Sequence, residues 1–274
     1  MLNSERVIRE ICFAGAATRG ISYLGVLKKL RDENLLDNIV HVVGVSIGSL
    51  IGLTHIIGYK PEEIMELVIS TDLSKFSDIN INNMLLTGTI LEGKIFRKWV
   101  WDLLEKKIDP LQTTFLDLWK LNPIKFTVVS TSLQNGMTIF SKDTTPDTIV
   151  YEAVIGSMAL PFILPSIEIN NEEFIDGCVI DNFPIQLLTP DIGSVGITVT
   201  ESRNGKGKVS SIFDRVSKII QLVSERIRYL SVAPTISIIS INTYDFDTVN
   251  FEISLDDKVT LYRRGYESVT KFLA

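Results

Sequence analysis

Several residue types are scarce in this sequence, and each scarcity excludes a class of protein. Only two cysteines occur among 274 residues, Cys12 and Cys178, too few for a disulfide scaffold and too far apart for a metal-ligand motif. Basic residues are outnumbered, 27 Lys and Arg against 33 Asp and Glu, so the net charge of −6 has the wrong sign for nucleic-acid binding. A hydrophobic content of 45% excludes a disordered chain. We expect a folded protein in a reducing compartment. The sequence does not decide whether the two cysteines form a single disulfide.

The chain also lacks a clear targeting or membrane-spanning segment. Residues 38–59 carry no formal charge and contain Gly44, Gly48 and Gly52, but they begin with a β-branched run and have no flanking aromatic belt. Near the start, Glu5 and Glu10 interrupt the basic region that a signal peptide needs. We therefore expect no transmembrane span and a cytoplasmic location, leaving open peripheral contact with membranes and export by a route not visible in sequence.

Strand-like and helix-like segments alternate along the first third of the chain. Residues 7–13 form a β-branched apolar run, a small-residue stretch follows at 14–18, and leucines then recur at helical spacing. The pattern repeats with an apolar run at 39–43, a turn at Gly44 and a second helix. This alternation predicts an α/β protein with a mainly parallel central sheet and helices on both faces.

The rest of the chain continues without a visible linker or repeat. Segments 126–133 and 137–140 flank Asn135-Gly136 and predict a hairpin, and residues 72–122 suggest a cap over the sheet. Helices are expected from 145 to about 158, over 210–230 and over 255–273, with strands near 166–169, 173–175, 195–200 and 235–241. We predict one domain over residues 1–274.

The residues Gly44-Val45-Ser46-Ile47-Gly48 fit the pattern G-x-S-x-G between a predicted strand and helix. A serine on such a sharp turn presents its hydroxyl at a helix N-terminus, and the two glycines allow the flanking elements to approach closely. The pattern favours Ser46 as a nucleophile over a structural turn serine.

The scarcity of histidine restricts the choice of base for this serine. His41 and His55 are the only two, and both lie within nine residues of Ser46, so the order serine, acid, histidine of α/β-hydrolases is impossible. Each is expected to be structural. A carboxylate whose pKa is raised by burial is the alternative base, and Asp176, followed by Gly177, is the candidate, although Asp-Gly is also common in ordinary turns.

Residues 14–20, the small-residue loop, allow three interpretations. They can be a tight connection, a degenerate dinucleotide fingerprint, or an oxyanion hole built from consecutive N–H groups. The fingerprint is disfavoured because Ala17 occupies a position that requires glycine.

Together these elements resemble the patatin-like phospholipase family, whose motifs are G-G-G-x-[RK]-G, G-x-S-x-G, and D-G-[GA] with a downstream N-x-P. The matching stretches here are 15–20 with Gly25-Val26-Leu27, 44–48, 176–178 and Asn182-Phe183-Pro184, and residues 156–161 are similar to the family's A-S-x-A-x-P segment. The resemblance covers about residues 8–190, with 191–274 completing the same domain. It implies a three-layer α/β/α fold, Ser46 as nucleophile, Asp176 as base, and an oxyanion hole at Gly15, Ala16 and Ala17.

The sequence departs from the family pattern in two places. Ala16 and Ala17 replace glycines, so either position is strained if it needs a positive φ. Such strain is expected to reduce the catalytic activity. Cys178 replaces a smaller residue after Asp-Gly. Arg19, which precedes Gly20, matches the family's basic residue and is read either as orienting the loop or meeting substrate phosphate, or as a surface salt bridge.

The expected activity is hydrolysis of acyl esters of phospholipids or related lipids through an acyl-enzyme, as in a phospholipase A, without metal or organic cofactor. Residues 94–101 combine lysine, arginine and tryptophan and are the candidate for membrane docking, with an ordinary packed amphipathic helix as the alternative. The rival hypothesis is a catalytically weak patatin-like protein that acts as a lipid-binding or interaction module.

Overall fold

The fold is known from a computed structural model that describes residues 7–80, 88–190, 192–200, 215–216, 218–219, 222–223 and 236–274. The strands are β1 (Glu10–Phe13), β2 (His41–Val45), β3 (Lys125–Ser132), β4 (Gly136–Ser141), β5 (Ile167–Ile169), β6 (Glu172–Asp176), β7 (Ser194–Thr200) and β8 (Ser237–Asn242). The α-helices are α1 (Ile21–Asp32), α2 (Ile47–Ile56), α3 (Pro61–Ser70), α4 (Lys94–Leu104), α5 (Phe115–Leu121), α6 (Val150–Ser157) and α7 (Leu255–Leu273). Short 3₁₀ helices lie at Ala17–Gly20, Leu73–Phe76, Gly177–Val179 and Ile185–Leu187.

These strands form one mixed sheet with the order β5-β6-β3-β2-β1-β7-β8, and β4 also pairs with β3. Five neighbouring strands run parallel to one another, in the order β3, β2, β1, β7 and β8. The other three, β4, β5 and β6, are joined to this set by antiparallel pairing. The predicted mainly parallel sheet is confirmed. The predicted hairpin is confirmed as well, since β3 and β4 pair antiparallel and are joined by residues 133–135.

Both faces of the sheet are covered. Along β1, Ile11 and Phe13 enter the main core with helices α1, α2 and α3, whereas Cys12 enters a second core that includes Phe183 and Ile185. Strands buried on both faces favour apolar side chains on both sides, which explains the apolar runs 11–13 in β1 and 42–45 in β2; each strand begins with a buried polar residue, Glu10 or His41. The predicted helices on both faces are confirmed, with 3₁₀ helices contributing to the second face.

The uncharged segment 38–59 forms β2 and α2 rather than one long helix. No helix in the described ranges is long and apolar enough to cross a membrane. The predicted turn at Gly44 is wrong by two residues, because β2 continues through Gly44 to Val45 and the chain bends at Ser46. The glycines serve close packing of α2 on the sheet: a Cβ at Gly48 would lie 2.5 Å from the carbonyl oxygen of Phe13.

The described helices of the region expected to cap the sheet bury apolar residues in the main core. Val100, Leu103 and Leu104 of α4 and Phe115 of α5 are buried there, because their apolar faces pack directly against neighbouring elements. Helix α6 begins at Val150, later than predicted, and the helix expected over 210–230 falls largely outside the described residues.

Residues beyond 190 supply the last two strands on one side of this sheet. Strand β7 pairs with β1, β8 extends the parallel set, and α7 packs along α1. That helix pair is close because a Cβ at Gly25 would overlap the backbone of Tyr262, and one at Gly265 would overlap the carbonyl oxygen of Ser22. The assignment of residues 1–274 to one domain stays a prediction.

Candidate active site

Ser46 lies at the junction of β2 and α2, in the segment 44–48 that we call the elbow. Its backbone adopts φ 53° and ψ −131°, which is unusual for a residue with a side chain. Gly44 and Gly48 permit this turn, because a Cβ at Gly44 would overlap the backbone of Ser49 and one at Gly48 would meet β1. The elbow therefore holds Ser46 where the parallel strands end and the first turn of α2 begins.

Sheet topology brings Asp176 to this point. β4 occupies one edge of β3 over residues 127–132, so β2 and β6 share the other edge. β2 ends with Val45 opposite Val129, and β6 arrives from the opposite direction and ends with Asp176 opposite Ser130. The two strands meet end to end, one residue apart along β3, which places the serine and the aspartate in contact.

The side chains of Ser46 and Asp176 are hydrogen bonded. Ser46 Oγ donates to Asp176 Oδ2 at 2.6 Å, and the N–H of Cys178 donates to Asp176 Oδ1 at 2.9 Å. Asp176 is 1% exposed. Burial raises the pKa of Asp176 to about 6, against the lowering effects of the bonds from Ser46 and from the N–H and thiol of Cys178. A carboxylate with this pKa is ionised at neutral pH and is basic enough to accept a proton there.

Neither histidine contacts this pair. His41 is the first residue of β2, about 13 Å along the strand from its other end, and its Nε2 bonds Thr127 Oγ1 at 2.9 Å. Burial lowers the pKa of His41 to about 4. His55 lies in the last turn of α2, and burial lowers its pKa as well. The structural roles expected for both histidines agree with these positions.

The small-residue loop passes directly beside the elbow. A Cβ at Gly15 would lie 3.3 Å from Ser46 Cβ, and Gly20 contacts Ile47, the residue after the serine. The N–H groups of Ala16 and Ala17 donate to no acceptor in the part of the chain that the structure describes. Ala17 has φ 49° and is strained as the sequence suggested, whereas Ala16 has φ −146°.

Gly15 differs from the two alanines that follow it. Its N–H donates to the carbonyl of Asn182 at 3.1 Å, and the Asn182 side-chain amide donates to the Gly15 carbonyl at 3.0 Å. A donor already engaged in this way is not available to a developing oxyanion, so the free loop donors are Ala16 and Ala17. The N–H of Ile47 joins them, because the first residue of an α-helix has no intrahelical acceptor.

Two other predicted residues, Arg19 and Gly177, are buried. Arg19 is 4% exposed and its charge acts on the buried Tyr23, while its role stays a prediction. Burial raises the pKa of Tyr23, and the Arg19 guanidinium opposes that rise. Gly177 passes so close to β3 that a Cβ would overlap the carbonyl oxygen of Val129.

The segment 94–101 turns most of its aromatic surface inward. Trp99 packs on Phe76 and donates from Nε1 to Thr71 Oγ1 at 3.1 Å, and Trp101 packs on Tyr151. The lysines are paired with acids, as in the Lys98–Asp102 bridge at 2.7 Å. This geometry favours the packed amphipathic helix over the docking surface.

Three contacts around the site involve residues to which the sequence assigns no role. Ser157 bonds the Ser46 backbone, Asn182 clamps Gly15, and the Thr18 N–H donates to Thr248 O at 3.3 Å. The only sequence signal for Ser157 and Asn182 is the likeness of segments 156–161 and 182–184 to family motifs. Nothing in the sequence points to Thr248.

Comparison with known proteins defines the class. The family model described as "Patatin-like phospholipase" matches residues 11–189, so the chain belongs to the patatin-like phospholipase family. The match contains the elbow, the small-residue loop and Asp176.

Viral proteins are among its relatives in sequence. "Uncharacterized protein R571" of Acanthamoeba polyphaga mimivirus is 29% identical over 97% of this chain and 94% of its own length. "Probable lipid hydrolase 463L" of Invertebrate iridescent virus 6 is 25% identical over 96% of this chain and 88% of its own length.

Solved structures with the same fold include two bacterial proteins. VipD from Legionella pneumophila superposes with a TM-score of 0.68 at 16% identity, covering 97% of this chain and 66% of that chain. The type III effector protein ExoU superposes with a TM-score of 0.50 at 13% identity, covering 97% of this chain and 52% of that chain. This chain thus spans about two thirds and about half of these structures, and the likeness concerns the fold.

Proposed function

We propose that the protein is a lipid acyl hydrolase of the phospholipase A type. The observation that carries the proposal is the 2.6 Å hydrogen bond from Ser46 Oγ to the buried carboxylate of Asp176. Membership in the patatin-like phospholipase family and a relative named as a probable lipid hydrolase support a lipid ester as substrate.

Acylation begins when Asp176 accepts the proton of Ser46 Oγ as that oxygen attacks the ester carbonyl. The carbonyl oxygen becomes an oxyanion, and the N–H groups of Ala16 and Ala17, with that of Ile47, are the donors proposed to stabilise it. Asp176 then gives its proton to the departing alcohol oxygen, the carbon–oxygen bond breaks, and the acyl group remains on Ser46.

Deacylation repeats these steps with water. Asp176 removes a proton from a water molecule, the resulting hydroxide attacks the acyl carbonyl, and the oxyanion is stabilised by the same N–H groups. Collapse releases the fatty acid, and the proton on Asp176 returns to Ser46 Oγ. A base with a pKa near 6 suits both directions of proton transfer at neutral pH.

A fluorophosphonate probe tests this proposal, because it labels only an activated serine. The wild-type protein should be labelled at Ser46 and should release fatty acid from phosphatidylcholine in mixed micelles. Ser46→Ala should lose both properties while remaining folded, because a turn hydroxyl contributes about 1 kcal/mol at most to stability. Ser77→Ala, which changes an exposed 3₁₀ cap far in sequence from the elbow, is the control.

A catalytically weak lipid-binding module is the second candidate, and the strained Ala17 is the observation that favours it. In that case the protein should bind phospholipid vesicles but neither hydrolyse them nor react with the probe. Labelling of any serine other than Ser46 would contradict the proposed mechanism.

A further inference from the structure

Ser157, the last residue of α6, connects the elbow to the centre of the sheet. Its side chain is 0% exposed, and its Oγ accepts the N–H of Ser46 at 2.9 Å while donating to the carbonyl of Val129 at 2.6 Å. A single hydroxyl thus satisfies one backbone donor just after the end of β2 and one backbone acceptor within the neighbouring strand β3.

The same segment also contacts the aspartate. Two residues after Ser157, the carbonyl of Ala159 accepts the N–H of Asp176 at 2.8 Å. Residues 157–159 therefore hold the main chain of both members of the Ser46–Asp176 pair, although those members are far apart in sequence. The separation of the two main chains determines how far Ser46 Oγ lies from the carboxylate.

Ser46 needs such a contact because its backbone is strained. A residue with a side chain at φ 53° persists only when surrounding contacts hold it there. The N–H of Ser46 cannot bond within α2, because it precedes the first residue of that helix. The hydroxyl of Ser157 is its acceptor, and it is fixed in turn by β3.

We propose that Ser157 is a positioning residue that holds the elbow in the conformation needed for attack by Ser46. This inference rests on the proposed hydrolase function. Ser157 touches neither substrate nor the reacting oxygen. It acts by fixing the Ser46 main chain, so its loss should lower the rate of acylation and leave substrate binding nearly unchanged.

The test compares Ser157→Ala with a matched control, Ser141→Ala. Ser141 is also a buried serine whose Oγ accepts backbone N–H groups, those of Asp143 and Thr144, but it lies at the end of β4 on the other side of β3. Both variants lose a buried acceptor, so both should lose similar stability. Only Ser157→Ala should affect the elbow.

Three quantities are measured on each folded variant: kcat and KM for phosphatidylcholine, the rate of fluorophosphonate labelling, and hydrogen exchange at the Ser46 amide by NMR. For Ser157→Ala we expect kcat and labelling to fall about tenfold or more, KM to stay within about twofold, and the Ser46 amide to exchange at least about tenfold faster. Ser157→Thr, which keeps the hydroxyl, should restore the exchange rate and most of kcat.

The outcomes are distinguishable. Wild-type kcat and wild-type exchange in folded Ser157→Ala would overturn the inference, and so would equal losses in Ser141→Ala. If the wild-type protein hydrolyses no lipid and takes no label, the proposed function fails, but the exchange rates still decide whether Ser157 holds the elbow. If Ser157→Ala does not fold, Ser157→Cys keeps the volume with a weaker acceptor and should show smaller changes in the same direction.

Discussion

Asp176 is buried, accepts a hydrogen bond from Ser46 and has a raised pKa. These properties predict the pH dependence of activity. As a base it must be ionised, so kcat/KM should fall as pH drops below about 6. The fall should be about tenfold per pH unit, as for one ionising group. A pH profile of phospholipid hydrolysis from pH 4 to 8, with a stability check at each end, measures it. A flat profile over that range would exclude Asp176 as the base.

The substitution Asp176→Asn separates a catalytic role from a turn-anchoring role. The amide cannot accept the serine proton, so kcat should fall on the order of 10²-fold or more. A turn anchor would instead lose thermal stability and keep normal turnover per folded molecule. Asp181→Asn is the control, because Asp181 lies on the same segment and accepts the N–H of Phe183 without touching Ser46.

The raised pKa of Asp176 also predicts how Asp176→Asn changes the pH dependence of folding stability. The folded-state pKa of Asp176 is raised from 3.8 to about 6, so the wild-type protein loses stability as pH rises through that interval. The loss amounts to about 3 kcal/mol above pH 6 and is absent below pH 3.8. Asp176→Asn should therefore be at least as stable as wild type at pH 8, with no such advantage at pH 4. Urea unfolding at both pH values checks this.

Ala16 and Ala17 differ in backbone conformation, so the same substitution should have different effects on them. Ala17 has φ 49°, where an L-residue is strained by about 1–2 kcal/mol, whereas Ala16 has a negative φ. Ala17→Gly relieves the strain, and Ala16→Gly only adds unfolded-chain entropy. We expect Ala17→Gly to be the more stable variant by about 1–2 kcal/mol in urea unfolding. Equal stabilities would show that Ala17 is not strained.

At the scale of elements, the contact between α2 and the sheet depends on glycine. A Cβ at Gly48 would overlap the backbone oxygens of Phe13 and Ala14, and backbone atoms of the sheet cannot move aside. A Cβ at Gly52 would instead meet a methyl group of Val42 at 2.8 Å. Gly48→Ala should therefore destabilise the protein by about 3 kcal/mol and reduce activity per folded molecule, since the elbow must shift. Gly52→Ala on the same helix should cost less, because its overlap is with a side-chain methyl group and is partly offset by better helix propensity. Equal costs would contradict this account.

At the scale of the whole molecule, the contact between α1 and α7 tests whether residues 191–274 complete one domain. All three tryptophans, Trp99, Trp101 and Trp119, lie in α4 and α5, away from the α1–α7 contact. Gly265→Ala would push α7 off the backbone of Ser22 and should cost about 3 kcal/mol. If the chain is one cooperative unit, the tryptophan fluorescence transition should shift with the loss of helix seen by circular dichroism.

The exposed substitution Thr270→Ala on α7 is the control and should change stability by less than about 0.5 kcal/mol. An unshifted tryptophan transition in Gly265→Ala, with earlier loss of helix, would show that α7 unfolds separately and would contradict the single-domain prediction.

Features that depend on neighbouring residues are readable from the sequence alone. The helix Leu255–Leu273 has its predicted bounds, because helical periodicity, Ser254 as N-cap and acidic residues in the first turn are all local signals. The position of the elbow is predictable to within two residues, because G-x-S-x-G between an apolar strand and a helix is local as well. The presence of only two histidines, both close to Ser46 in sequence, is by itself enough to favour a carboxylate as the base.

The tertiary structure decided which distant groups meet. Ser46 and Asp176 are 130 residues apart, and their contact follows from the order and register of β2 and β6 along one edge of β3. The engagement of Gly15 by Asn182 and the hold of Ser157 on Ser46 arise in the same way. A motif states which chemical groups are present, whereas strand register and helix packing fix the distances between them. Composition and periodicity carry no information about such long-range pairing.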